Sequence, residues 1–189
     1  MRIGLFGGSF DPAHPGHLHV AQTALKRLGL HKVWWLVTPQ NPLKPDSAPL
    51  ARRVASAKRM ATQPAMAVTA FESACGFRYT YQTVRALTRA YPRTHFVLIV
   101  GADSLESFRY WRRWRAVMRT LPLAVVSRPL AGARARLAKP AQVFAAARKP
   151  SETAAMLALA PAPAWTLLNA RFHRDSSSLL RAMAEPGES

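Results

Sequence analysis

Two histidines, His14 and His17, close a glycine-rich segment whose sequence over residues 7–17 is Gly-Gly-Ser-Phe-Asp-Pro-Ala-His-Pro-Gly-His. Paired glycines let a backbone approach a ligand closely, and the amides that open a helix bind anions with the help of the helix dipole. Histidines at this spacing, at a helix start, would both face the same anion. The segment therefore predicts a cradle for nucleotide phosphates.

The residues on either side predict the elements that position this cradle. Residues 2–6 have the length and apolar content of a buried strand, and apolar residues recur at helical spacing from Leu18 until Gly29 supplies a stop. The rest of the chain alternates in the same way. Further strands are predicted at 32–37, 66–71 (closed by Glu72), 95–100, 123–126 and 165–168, and helices at 50–62, 79–90, 111–121 and 176–181.

This alternation predicts an α/β fold, a doubly wound and mostly parallel Rossmann-like sheet with helices on both faces, built as a single domain over residues 1–189. Residues 130–164 are rich in Ala, Pro, Arg and Lys, and we expect a weakly ordered insertion with some helix there. In the usual strand order the first and fourth strands are neighbours. The cradle and a second glycine turn at residues 101–104 would then flank one crevice.

The composition favours a polyanionic partner or substrate. Lys and Arg number 27 against 9 Asp and Glu, a net charge of +18, which nucleic acid and nucleotide phosphates would both suit. So few dispersed carboxylates disfavour an all-protein cage for a hard cation, and we expect Mg²⁺ to arrive on substrate phosphates. A lone Cys75, no secretory signal and no apolar run of membrane-spanning length predict a cytoplasmic protein.

Three other chemistries fit the cradle poorly. Its glycines do not have the G-x-G-x-x-G spacing of a dinucleotide site, and the second predicted strand ends without an acidic residue for a ribose. A zinc site at His14 and His17 would have only Asp11 nearby. A hydrolytic triad of Ser9 with that aspartate and a histidine would crowd one loop without a nucleophile elbow.

At these residues the chain resembles the nucleotidyltransferase superfamily that carries an H-x-G-H signature, and within it the nicotinate-nucleotide adenylyltransferases. The most specific matches are the segment at 7–17 and Ser-Ser-Ser-Leu-Leu-Arg at 176–181. The likeness spans most of the chain apart from about residues 130–164. Further matches lie at residues 39–44, 79–83, 101–105, 111 and 127–129.

The resemblance implies that the adenylyl group of ATP is transferred to nicotinate mononucleotide, with Mg²⁺ delivered by ATP. The 5′-phosphate of the acceptor would attack the α-phosphorus in line, which gives deamido-NAD and pyrophosphate for NAD biosynthesis. Catalysis would then rest on positioning and on neutralising phosphate charge. We expect no membrane and no specific nucleic acid as partner, and the oligomeric state stays open.

The resemblance also assigns site residues, none of them a metal ligand. His14, His17 and Arg181 would be catalytic, with His17 closest to the changing charge. Trp111 would pack against the nicotinate ring and Thr80 would read its carboxylate. The residues assigned to ATP are Gly8, Ser9, Phe10, Gly16, Gly101, Asp103, Ser177 and Ser178, of which Gly8 and Ser9 would also touch the acceptor phosphate. Those assigned to the acceptor are Asn41, Lys44, Thr80, Trp111 and Arg128.

Several alternatives stay open. Ser178 stands where the family usually has threonine, which keeps the hydroxyl donor and should have a small effect. Arg112 stands where some members have an aromatic residue, which leaves the acceptor preference open. Trp111 could be a core residue and Thr80 a helix N-cap. The alternative acceptors are phosphopantetheine and nicotinamide mononucleotide, and the alternative from another class is a basic RNA-binding protein.

Overall fold

Six parallel strands organise the part of the chain that the computed structural model describes, residues 1–39, 47–127 and 135–169. Their order across the sheet is β3-β2-β1-β4-β5-β6, so the direction of winding reverses between β1 and β4. This confirms the predicted fold class and strand neighbours. The strands are β1 (Arg2–Gly8), β2 (Lys32–Val37), β3 (Met66–Thr69), β4 (His95–Gly101), β5 (Leu123–Ser127) and β6 (Trp165–Asn169).

Helices cover both faces of the sheet because side chains alternate along each strand. On β1, Leu5 packs into a core with the helices of one face, and Phe6 packs into a second core with those of the other. No described helix is long and apolar enough to cross a membrane. The helices are α1 (Pro15–Arg27), α2 (Leu50–Met60), α3 (Phe71–Ala74), α4 (Thr80–Ala90), α5 (Ala102–Ser107), α6 (Trp114–Thr120) and α7 (Lys139–Val143), with 3₁₀ segments at Phe108–Tyr110, Ala145–Ala147 and Ser151–Leu159.

The connection between β5 and β6 falls in the region predicted as an insertion. Its described part, residues 135–164, contains α7 and two of the 3₁₀ segments, and it buries Ala154 and Leu157 beneath the sheet. The indole Nε1 of Trp165 donates to the carbonyl of Phe144 over 2.7 Å, which ties this connection to β6. Residues 135–164 therefore form the crossover that brings β6 into the sheet.

The prediction of a strand over 66–71 is wrong at its end. β3 stops at Thr69, and Phe71 opens the short helix α3, so Glu72 does not close the strand. The cause is tertiary: the Phe71 ring packs edge-on against Phe77 at a centroid distance of 6.0 Å, and the Glu72 carboxyl is turned into the interior.

Two more boundaries differ from the prediction. No separate turn follows β4, because the strand runs through Gly101 and α5 begins at the next residue. The helix predicted from residue 111 begins at Trp114, since Arg113 adopts a left-handed conformation (φ 54°) at its N-cap. The predicted helix at 176–181 lies outside the described residues.

A buried carboxyl joins α3 to α4. Glu72 is only 6% exposed, and the hydroxyl of Thr83 donates to its Oε1 over 2.7 Å. Burial raises the pKa of Glu72 above its ordinary value of 4.5, and the hydrogen bond from Thr83 partly opposes that rise. The fold therefore favours the protonated carboxyl relative to the unfolded chain.

We expect Glu72→Gln to stabilise the protein progressively, relative to wild type, as the pH rises above 4.5. A carboxyl whose pKa is raised by folding contributes stability that is complete below its unfolded pKa and is lost as the pH rises through its folded pKa. Glutamine removes this titration and keeps an acceptor for Thr83. The measurement is the free energy of urea unfolding from about pH 4 to about pH 8. The exposed Glu106, replaced by Gln, is the control, and a pH-independent difference at Glu72 would contradict the expectation.

Candidate active site

The loop between β1 and α1 rests on a buried aromatic base. Phe10 is only 1% exposed, and its ring lies 5.4 Å from that of Phe6 and 5.0 Å from that of Trp35, measured between centroids. Its φ of 50° is uncommon for a residue with a side chain, and the packing of the ring beneath the loop holds that conformation. The glycine-rich loop is thus anchored from below.

His14 and His17 lie together where α1 begins. His14 is the N-cap, and its Nδ1 accepts a hydrogen bond of 3.1 Å from the amide of Gly16. The amide of His14 in turn donates to Nδ1 of His17 over 3.2 Å, and the two imidazole centroids are 3.8 Å apart. Because Nδ1 accepts in each ring, Nε2 is the nitrogen through which each imidazole can donate. The hydrogen bonds of the cap therefore orient two imidazoles beside the first amides of α1.

The histidine pair lies at the edge of the sheet where β1 and β4 end and the direction of winding reverses. β1 and β4 pair in parallel, with Phe6 opposite Ile99, so both strands end at this edge. Asp103 is exposed in the first turn of α5, directly after β4 ends at Gly101. A Cβ added to Gly101 would meet nothing within 4 Å, so this backbone borders open space. The structure brings the two predicted phosphate-side segments to one edge, as the sequence predicts.

An arginine that no sequence motif marks, Arg53, holds this loop from the side. Arg53 on α2 is 2% exposed. Its Nη1 donates to the carbonyls of Ser9 (2.9 Å) and Thr38 (2.7 Å), and its Nη2 donates to that of Pro39 (2.6 Å). Its Nε donates to the carbonyl of Ala48 over 2.7 Å. The guanidinium therefore links the cradle to the end of β2 and to the start of α2.

Two further hydrogen bonds reinforce this link. Ser56, one helical turn after Arg53, accepts from the amide of Ala13 over 3.0 Å, and Asp11 Oδ2 accepts from the amide of Ala48 over 2.9 Å. Burial lowers the pKa of Arg53 from its ordinary value and the nearby Asp11 opposes this, although a guanidinium stays charged in proteins. The sequence signal that could have identified Arg53 as buried is helical periodicity, which places residues 53, 56 and 57 on one face of α2.

The residues predicted for the acceptor ring occupy neighbouring segments. Thr80 is the first residue of α4 and not its N-cap, since Tyr79 holds that position and its amide donates to Gln82 Oε1 over 3.1 Å. Trp111 is partly buried against the core and lies 4.7 Å from the Phe108 ring, so it packs as a core residue on one side. The guanidinium of Arg112 lies 5.1 Å from the centroid of the Tyr79 ring. This contact joins the segment of Trp111 to the start of α4.

The remaining predicted site residues are outside the described part of the chain. They are Asn41, Lys44, Arg128, Ser177, Ser178 and Arg181. Their roles stay predictions. Within residues 1–39, 47–127 and 135–169, no three His, Cys, Asp or Glu side chains are grouped so that they could hold a metal ion.

Comparison with known proteins agrees with this geometry. A family model described as cytidylyltransferase-like matches residues 5–182, a range that includes the histidine pair. The chain belongs to this family. A probable nicotinate-nucleotide adenylyltransferase from Methylorubrum extorquens is 53% identical over 183 residues, covering 96% of this chain and 99% of the relative. One from Cereibacter sphaeroides is 50% identical over 183 residues, covering 96% and 97%.

A solved structure has a similar fold. The nicotinic acid mononucleotide adenylyltransferase of Plasmodium falciparum, complexed with NaAD, superposes with a TM-score of 0.66 at 16% identity. The match covers 94% of this chain and 78% of that one. At this identity the likeness concerns the fold, and the relatives at about half identity place the chain among the nicotinate-nucleotide adenylyltransferases.

We expect Gly8→Ala to destabilise the protein by about 1–3 kcal/mol, the usual cost of overpacking a filled site. A Cβ at Gly8 would lie 3.0–3.3 Å from three atoms of the Phe10 ring, which the aromatic base holds in place. Gly7→Ala is the matched control, because a Cβ there would meet nothing within 4 Å. Urea unfolding of the two variants measures the difference, and equal stability losses would contradict the expectation.

Proposed function

We propose that this chain transfers the adenylyl group of ATP to nicotinate mononucleotide and so forms deamido-NAD and pyrophosphate. One observation carries the proposal: the imidazoles of His14 and His17, each with Nδ1 engaged at the cap of α1, lie where β1 and β4 end. The chain's relatives at about half identity are named for this reaction.

The chemistry needs donors more than it needs a nucleophilic side chain. An oxygen of the acceptor's 5′-phosphate forms a bond to the α-phosphorus of ATP, and the bond from that phosphorus to the bridging oxygen breaks. The electron pair leaves with pyrophosphate, and negative charge grows on the phosphate oxygens. The Nε2–H groups of His14 and His17 and the opening amides of α1 would stabilise that charge.

The ATP side of the proposed site uses the ends of β1 and β4. Gly101 would allow the adenosine to approach the backbone, and Asp103, exposed on α5, would accept from the ribose hydroxyls. Mg²⁺ would enter on the phosphates of ATP and reduce their charge, because this ion commonly keeps substrate phosphates and water as ligands. Ser177, Ser178 and Arg181 are proposed to contact the phosphates from a facing segment.

The acceptor side of the proposed site lies between α4 and the segment before α6. Trp111 would pack against the nicotinate ring, and Thr80 would donate to the carboxylate, with Asn41, Lys44 and Arg128 as further contacts. The guanidinium groups of Arg112 and Arg113, stacked on Tyr79 and Tyr81, add positive charge here. That charge favours the acid over the amide as acceptor. A cytoplasmic location stays a prediction.

Release of pyrophosphate tests the proposal directly. The protein is mixed with ATP, Mg²⁺ and one acceptor at a time: nicotinate mononucleotide, nicotinamide mononucleotide or phosphopantetheine. We expect the highest kcat/KM with nicotinate mononucleotide. Turnover with phosphopantetheine alone would contradict the proposal. Binding of RNA without any turnover would favour the rival class, and its dependence on salt would measure the electrostatic part of that binding.

We expect His17→Asn to lower kcat by roughly 10²–10³-fold, as the loss of a transition-state donor does elsewhere. The asparagine oxygen can still accept from the amide of His14, so the cap is kept while the Nε2–H is lost. Thermal unfolding checks that the variant folds. His95→Ala is the control, because His95 is exposed at the other end of β4. An unchanged kcat in folded His17→Asn would remove His17 from the site.

A further inference from the structure

The buried guanidinium of Arg53 connects three segments that are distant in sequence. Its partners are four main-chain carbonyls, at donor–acceptor distances between 2.6 and 2.9 Å. Ser9 belongs to the cradle, Thr38 and Pro39 follow β2, and Ala48 precedes α2. One side chain therefore contacts all three segments at once.

The chemistry of the guanidinium explains why an arginine is needed for these contacts. A buried charge is costly unless hydrogen bonds satisfy it, and hydrogen bonds from a charged donor are stronger than neutral ones. The guanidinium directs its donors in a rigid planar fork, whereas lysine offers a compact ammonium on a flexible stem. Arg53 reaches carbonyls in several directions at once, which lysine cannot reproduce from the same position.

The two histidines are held by different contacts. His14 and His17 are oriented by the cap of α1, and the Phe10 ring packs 5.1 Å from the His17 ring. The hydrogen bonds of Arg53 instead end on Ser9 and on the end of β2. Loss of Arg53 should therefore leave the imidazole donors in place and disturb the part of the cradle next to β2.

We propose that Arg53 is a positioning residue for the acceptor, because its guanidinium holds Ser9 and the carboxyl end of β2 in the arrangement that receives the acceptor's phosphate. This proposal rests on the proposed function and on the contact between Ser9 and the acceptor phosphate that the family resemblance implies. Arg53 contacts the carbonyl of Ser9, so it acts through the backbone.

The experiment compares the steady-state kinetics of wild type, Arg53→Ala, Arg53→Lys and Arg52→Ala. Arg52 is the matched control, since it is the preceding residue of the same helix and is exposed. In both Arg53 variants we expect KM for nicotinate mononucleotide to rise by roughly 10–100-fold, the factor that corresponds to losing hydrogen bonds to a charged group. KM for ATP should change much less, and Arg52→Ala should resemble wild type.

Guanidinium ion supplies a second readout that a purely structural role would not move. Added at low, non-denaturing concentration to Arg53→Ala, it should lower KM for nicotinate mononucleotide, whereas ammonium should not. Should Arg53→Ala fail to fold, Arg53→Lys carries the kinetic test, since it retains the charge and most of the side-chain volume. Equal rises in both KM values, or a loss of thermal stability with unchanged KM, would overturn the proposal.

The failures of the two proposals are distinguishable. Wild type without turnover on nicotinate mononucleotide would refute the proposed function. Wild type with turnover, together with an unchanged acceptor KM in Arg53→Ala, would refute the role of Arg53 alone.

Discussion

The parallel pairing of β1 with β4 is the constraint on which the rest of the structure depends. These strands are far apart in sequence, and their pairing reverses the winding of the sheet. Because parallel strands end at the same edge, the pairing places the loop after β1 beside the start of α5. The proposed contacts of His14, His17, Gly101 and Asp103 to ATP follow from this one adjacency, since neither segment could enclose a nucleotide alone.

Hydrogen bonds at the cap then orient the two histidines at that edge. The imidazole of His14 at the N-cap of α1 accepts from an amide through Nδ1, so in the proposed site helix capping and phosphate binding would use different nitrogens of one ring. The aromatic base beneath Phe10 limits how far the loop can move. Arg53 adds the lateral contact, and its buried charge is satisfied by carbonyls of the same loops that it orders.

Local patterning was sufficient for the strands and for the long helices. The apolar run at 95–100 and the punctuation by Gly29 correspond to β4 and to the end of α1, where Gly29 has a φ of 56°. Patterning did not predict where the strand within residues 66–71 ends, or that a helix begins within residues 101–104. At the first, burial of Glu72 against Thr83 sets the boundary, and such long-range packing leaves no local periodicity. At the second, a helix too short to show a period follows the strand directly.

The sequence by itself determined the fold class, the histidine pair and the family resemblance, because strand and helix periods and a contiguous motif are local properties of the chain. Tertiary structure alone decided the hydrogen bonds of Arg53 and the position of Thr80 after the N-cap of α4. An arginine on a basic helix looks like a solvated charge until the helix docks. Only the docked fold shows that its donors reach carbonyls contributed by three separate segments.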